Sequence, residues 1–227
     1  MKPVILKDSN EKFYANKLIC IGQNYAEHAK EINFDIPSSP IFFLKPASAI
    51  IYDGDKIVIP SISKNVHHEV ELVVLIGKEG KKIPHDKAME YVAGYGVGLD
   101  MTMRDIQLEA KKKGFPWTLA KGFDTAAPIS EFVQKNRIPD VSSLYIRLMV
   151  NDEERQYSCV DKLIFPVEFL ISYISKFMTL EKGDMIFTGT PQGVATVKDG
   201  DKLKASLLDC NGNILSSLTV EVCRENQ

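Results

Sequence analysis

Two carboxylates stand two residues apart in His67-His68-Glu69-Val70-Glu71-Leu72-Val73-Val74. In an extended strand, residues i and i+2 share a face. Glu69 and Glu71 would then sit about 6.5–7 Å apart on one side, with Val70, Leu72 and Val74 on the other. The run that follows, Val73-Val74-Leu75-Ile76, suggests burial on both faces. Two like charges there are costly unless a cation sits between them or one is protonated. Oxygen-only ligation suits a hard ion such as Mg2+ or Mn2+. Two acids facing solvent at the start of a strand fit the same pattern equally well.

Further groups are suited to chemistry, each with a plainer alternative. Asp100, in Leu99-Asp100-Met101-Thr102, lies where a strand of small residues hands over to a helix, and a carboxylate there can join a metal site on a neighbouring strand. An acid near a helix N-terminus is the commoner case. Arg104 and Gln107, three apart, share a helix face and offer planar donors to a substrate carboxylate. His28 and Glu31 have the same spacing. A carboxylate on one imidazole nitrogen fixes the tautomer and makes the other a better base, although an exposed histidine on a charged helix is commoner. Thr188-Gly189-Thr190-Pro191-Gln192-Gly193 reads as a tight loop whose N–H groups and Thr190 hydroxyl can bind an oxyanion or carboxylate, or as an ordinary turn. Lys121 lies in an apolar stretch after Trp117, either buried and paired or snorkelling. There is no P-loop, no dinucleotide fingerprint and no nucleophile elbow.

These residues need a frame. The sequence predicts strands at Leu18–Ile21, Ile41–Leu44, Lys56–Ile59, His68–Ile76, Tyr91–Leu99, Leu144–Val150 and Met185–Thr188, then a hairpin of Lys202–Leu208 and Ile214–Val222 around Asn211-Gly212. Helices are fewer: Asn24–Glu31, Asp86–Glu90, Thr102–Lys113 with capping-box spacing at Thr102 and Asp105, and Pro166–Met178. Strands do not alternate with helices, which argues for a β-rich α+β fold with antiparallel or mixed sheets. No linker is visible, so residues 1–227 read as one domain, with 1–16 as an arm or edge hairpin on a core over 17–224.

Composition narrows the function. Lys+Arg of 28 against Asp+Glu of 30 leaves a net charge of -2, which gives no footprint for nucleic acid or an anionic membrane. No apolar run approaches the ~20 residues of a membrane span, and Val4-Ile5-Leu6 is too short for a secretory leader. The four cysteines form no CxxC pair, and free thiols point to a reducing cytoplasm.

The pieces IGQNYAEHAKE, PIFFLKP, HHEVELVVLIG, GYGVGLDMTMRDIQ, KGFPWTLAKGFD and TGTPQGV occur in one order over roughly residues 18 to 222. As an ordered set they resemble the fumarylacetoacetate hydrolase family, and more narrowly its short acylpyruvase and oxaloacetate decarboxylase branch. The resemblance implies a mixed β-sandwich roll of that family's C-terminal-domain type with a few short helices, a Mg2+ or Mn2+ ion and a homodimer. By motif, Glu69, Glu71 and Asp100 would be the metal ligands and Lys121 the lysine beside them. His28 and Glu31 would be a water-activating pair on a lid segment. Arg104, Gln107 and Thr190 would contact a small 2-keto or 2,4-dioxo acid. The chain departs from the pattern at Gln23, where some relatives carry Arg, and at Gln192, where the GTPxGV loop varies.

The implied reaction is hydrolysis of a C–C bond in acylpyruvates to pyruvate and a carboxylic acid. His28 would activate the water, and the pyruvate enolate would be stabilised by the metal and Lys121. The same enolate serves oxaloacetate decarboxylation and keto–enol tautomerisation or dienoate isomerisation. A non-catalytic small-acid or metal-binding module is the alternative outside enzymes. The HxxE pair argues against it, since binding alone needs no general base.

Overall fold

The computed structural model describes residues 2–27 and 37–225. Eleven strands build its two main sheets: β1 (Leu18–Gly22), β2 (Ile41–Lys45), β3 (Lys56–Ile59), β4 (Val70–Ile76), β5 (Val92–Leu99), β6 (Val133–Gln134), β7 (Tyr145–Val150), β8 (Glu153–Cys159), β9 (Met185–Phe187), β10 (Lys202–Leu208) and β11 (Ile214–Arg224). One sheet has the order β6-β5-β4-β9-β1-β2, the other β8-β7-β10-β11-β3. Both are mixed: β9 is parallel to β1 and β11 to β3, while their other pairings are antiparallel. The sheets pack face to face, β7 against β4 and both β10 and β11 against β5. This is the β-rich sandwich expected from the sequence.

Burial follows the strand chemistry. Every residue of β4 is buried, so a strand of Val, Leu and Ile runs through the middle of its sheet. In β7, Ile146, Leu148 and Val150 are buried while Tyr145, Arg147 and Met149 are only half-buried, the period of a sheet with one covered face. The alternate glycines of β5 have a packing cause. A Cβ on Gly94 would come within 2.4 Å of the Val133 carbonyl oxygen, and one on Gly98 within 2.7 Å of the Phe187 ring. The N-terminal segment is a hairpin, Pro3–Val4 paired with Phe13–Tyr14, docked by the Lys7 N–H on the Phe132 carbonyl.

Among the described residues three α-helices complete the frame: α1 (Arg104–Lys113), α2 (Thr118–Lys121) and α3 (Val167–Phe177). Gly114 ends α1 in the left-handed region at φ 68°. The capping box does not form. Thr102 is drawn into a short pairing with His67, its hydroxyl donates to the Asp100 carbonyl, and α1 starts at Arg104 with no side-chain cap. Asp105 instead accepts from Ser63 Oγ (2.7 Å) and the Lys64 N–H (2.9 Å), which ties α1 to the turn before Val66–His68. The strand expected over His68–Ile76 is split at Glu69, because Val66–His68 pairs with Thr102–Met103 and Ala195–Thr196 rather than joining β4. Lys121, expected in an apolar loop after Trp117, closes a short helix. Of the helix expected over Asn24–Glu31, residues 28–31 lie outside the described residues.

Candidate active site

The register of β4 on β5 sets Val70 opposite Leu99 and Glu71 opposite Gly98, so Glu69 and Asp100 sit just beyond the last pair. All three acids are buried. One oxygen from each lies within 4.8 Å of the others.

Cations surround this cluster. Lys121 Nζ is 2.7 Å from Glu69 Oε2 and 2.8 Å from Asp100 Oδ2. Burial works to lower the pKa of Lys121, but Asp100 and Glu69 together outweigh it and raise it above the ordinary lysine value. Arg104 is held on three sides: Nη2 by Glu69 Oε1, Nη1 by Gln107 Oε1 (2.6 Å) and Nε by His67 Nδ1 (3.4 Å). Since the Gln107 oxygen accepts from Arg104, its NH2 group is left as the outward donor. Burial, then the Arg104 charge, lowers the His67 pKa to about 4, so the ring is neutral at physiological pH.

Lys45 Nζ lies 2.8 Å from Asp100 Oδ1, yet its protons go to the carbonyls of Met101 (3.0 Å), Lys121 (2.5 Å) and Ala126 (2.9 Å). An ammonium has three protons. Asp100 Oδ1 is therefore buried beside a positive charge without receiving a hydrogen bond. Glu71 has no ion-pair partner among the described residues. Its Oε2 accepts the Gly189 N–H (2.7 Å). Burial, then the charges of Asp100 and Glu69, pushes its carboxyl well above the usual range.

This donor set fits a hard divalent cation. Oxygens from three residues surround one centre, one carboxylate lacks a counter-charge, and one buried oxygen lacks a proton. The cavity they border holds about 30 Å³, the scale of an ion or a water. Thr190, Gln107, Phe43 and Trp117 also line it. Gln23, Lys111 and Trp117 border both this cavity and a wider groove of about 570 Å³.

Of the residues singled out in the sequence, Glu69, Glu71, Asp100, Arg104, Gln107, Lys121 and Thr190 meet at this one cavity. His28 and Glu31 lie outside the described residues. The loop after β9 gives a backbone N–H to a carboxylate of the protein itself: Gly189, at φ 101°, donates to Glu71. Two residues were missed. Lys45 carried a faint signal, a lone charge in the apolar run Ile41–Leu44 before Pro46. Gln156, which donates to Thr190 Oγ1 (2.8 Å), carried none.

Residues 17–222 match the family model described as the fumarylacetoacetate (FAA) hydrolase C-terminal domain. The chain is 48% identical over 194 residues to the mouse protein named oxaloacetate tautomerase FAHD1, mitochondrial, spanning 86% of this chain and 88% of that one. The crystal structure of fumarylpyruvate hydrolase from Pseudomonas aeruginosa with Mn2+ and pyruvate superposes with a TM-score of 0.91 at 38% identity, over 98% of this chain and 96% of that one. The 5-carboxymethyl-2-hydroxymuconate delta-isomerase of Mycobacterium smegmatis gives 0.82 at 36% identity, over 95% and 82% of the chains.

Proposed function

The chain belongs to the fumarylacetoacetate hydrolase family, and from that premise we propose a Mg2+- or Mn2+-dependent enzyme that interconverts the keto and enol forms of oxaloacetate. The observation that carries this reading is the convergence of Glu69, Glu71 and Asp100 beside the ammonium groups of Lys121 and Lys45. Oxaloacetate in the mouse relative's name, and Mn2+ with pyruvate in the Pseudomonas structure, support the substrate class and the ion.

Glu69, Glu71 and Asp100 would hold the divalent ion, which would supply Lewis acidity to a bound keto acid. The protein's own groups do the rest. Lys121 sets a fixed positive charge where an enolate oxygen gathers negative charge. The Gln107 NH2 and the Thr190 hydroxyl receive the substrate carboxylate, and Arg104, locked by its three partners, keeps that end of the cavity positive. On the motif resemblance, moving the proton between carbon and oxygen falls to His28 with Glu31, both outside the described residues.

A second reading has a specific observation behind it, the likeness to a fumarylpyruvate hydrolase. There the same groups would serve C–C hydrolysis of an acylpyruvate, with His28 activating water. Oxaloacetate decarboxylation shares the enolate as well. Purified protein with Mg2+ is offered oxaloacetate and acetylpyruvate separately, following enol absorbance and pyruvate release with a chelator control. Chelator-sensitive enol loss from oxaloacetate without pyruvate supports the tautomerase. Pyruvate from acetylpyruvate replaces it with the hydrolase, and ligand-induced stabilisation without turnover would leave only a binding module.

The protein is further proposed to work as a homodimer, supported by exposed Ile41, Leu44, Leu108, Phe115 and Leu119; its mass in solution tests this. No helix among the described residues is long and apolar enough to cross a membrane. Free thiols fit any reducing compartment, the cytoplasm expected here or the mitochondrion named for the mouse relative.

A further inference from the structure

Gln156 belongs to β8 in the opposite sheet, is 1% exposed, and its side chain ends on Thr190, a residue that lines the cavity. Every hydrogen-bonding position of its amide is used. Oε1 accepts the Val70 N–H (3.1 Å) and lies 2.9 Å from His68 Nδ1. Nε2 donates to Thr190 Oγ1 (2.8 Å) and to the Pro191 carbonyl (2.9 Å). A backbone N–H can only donate, so the oxygen end of the amide must face Val70, and His68 must carry a proton on Nδ1. The NH2 end is thereby turned to the loop after β9. A hydroxyl has a single proton. Because Thr190 Oγ1 accepts from Gln156, its own proton remains for another acceptor, and Thr190 lines the cavity.

We propose that Gln156 is a positioning residue: clamped by Val70 and donating to Thr190 Oγ1, it sets the Thr190 hydroxyl as the hydrogen-bond donor to the carboxylate of a bound keto acid. This rests on the reading of Thr190 as a substrate contact. The alternative is a purely structural brace between the segment carrying Glu69 and Glu71 and the opposite sheet. That brace would disturb the metal ligands and leave Thr190 with no special part.

The test is a double-mutant cycle on Mn2+-loaded full-length protein, reading the Kd for pyruvate, the Kd for Mn2+ and the thermal midpoint. Thr190→Val alone weakens pyruvate about tenfold, the cost of one hydrogen bond to a charged group. Gln156→Met weakens pyruvate to a similar degree and leaves Mn2+ affinity within about twofold. In the Thr190→Val background Gln156→Met adds less than about twofold, because its route is already cut. Equal losses from Gln156→Met in both backgrounds overturn the inference. So does a fall in Mn2+ affinity that accounts for the pyruvate loss. An unchanged pyruvate Kd in Thr190→Val overturns the assignment of Thr190 itself. If Gln156→Met does not fold, Gln156→Glu keeps the acceptor for Val70 while presenting a second acceptor to Thr190. The loss of pyruvate affinity must then be smaller in the Thr190→Val background, or the inference falls.

Discussion

The backbone N–H of Asp100 donates to the carbonyl of Glu69 at 2.8 Å, which makes two of the three clustered acids a cross-strand pair. Residues 31 apart in sequence are thus fixed side by side by the ladder of one hairpin, and Glu71 joins them two residues along the same chain. The sheet, rather than the cation, brings the negative charges together. Several expectations follow from that arrangement.

Metal-free protein carries the repulsion uncompensated at Glu71. Glu71→Gln keeps an acceptor for the Gly189 N–H and removes the charge. It is expected to raise metal-free stability by roughly 1 kcal/mol while abolishing stabilisation by Mn2+. Thermal melts with and without Mn2+ check both signs; a variant still stabilised by Mn2+ as wild type is would remove Glu71 from the ligand set.

Chelation is expected to lower the thermal midpoint of wild type, and Mn2+ at a hundred times its Kd to restore about 2.7 kcal/mol. A midpoint indifferent to both treatments would show that the acid cluster holds no ion.

Lys45→Met leaves the carbonyls of Met101, Lys121 and Ala126 without their donor and removes the charge beside Asp100 Oδ1, with Lys121 remaining on Oδ2. Breaking a buried charge network of this kind costs about 3–5 kcal/mol. Urea unfolding measures it, and a cost below about 1 kcal/mol would refute the structural role given to Lys45.

Gly94→Ala and Gly98→Ala both crowd β5, but against different neighbours. At Gly94 the obstacle nearest the new Cβ is a backbone oxygen of Val133; at Gly98 it is the Phe187 ring and a Val73 methyl. Side chains shift more readily than backbone, so Gly94→Ala is expected to be the more destabilising, with Gly98→Ala costing about 1–3 kcal/mol. Equal or reversed costs by urea unfolding would contradict this account.

Asp105 ties α1 to the Ser63–Lys64 turn. Burial works to raise its pKa, but hydrogen bonds from the Lys64 N–H, Ser63 Oγ and the Ile106 N–H outweigh it and hold it below its usual 3.8. A depressed carboxylate contributes stability above its unfolded pKa and loses it as pH falls through the lower folded value. Asp105→Asn is therefore expected to be less stable at neutral pH and to show a flatter acid limb below about pH 4. An unchanged acid limb would count against this.

Much of the site was legible because its signals are local. Glu69 and Glu71 declare a shared face by their spacing, and Arg104 with Gln107 declare a helix face that the structure closes with a hydrogen bond. Lys45 gave only a faint sign and Gln156 none, because their work is done on partners 56 to 81 and 34 to 88 residues away. A strand residue gives no hint of acceptors supplied by loops and a helix so far along the chain. The capping box failed for the same reason: Thr102 fits a helix start by local rule, but pairing with His67 claims its backbone first. His28 and Glu31 were read from spacing and motif, and the described residues neither bring them to the cavity nor keep them from it.

The insertion of β9 between β4 and β1 has a consequence for the order of assembly. On a ribosome the hairpin that pairs Glu69 with Asp100 is complete once residue 100 has emerged, whereas the strand completing that sheet, and the Thr190 loop behind it, arrive some 90 residues later. Pairing of β3 with β11 leaves the second sheet open for longer still. The acid pocket can therefore take shape on a nascent chain well before its substrate-facing wall exists. Contacts of such long sequence separation place this protein among slow-folding topologies.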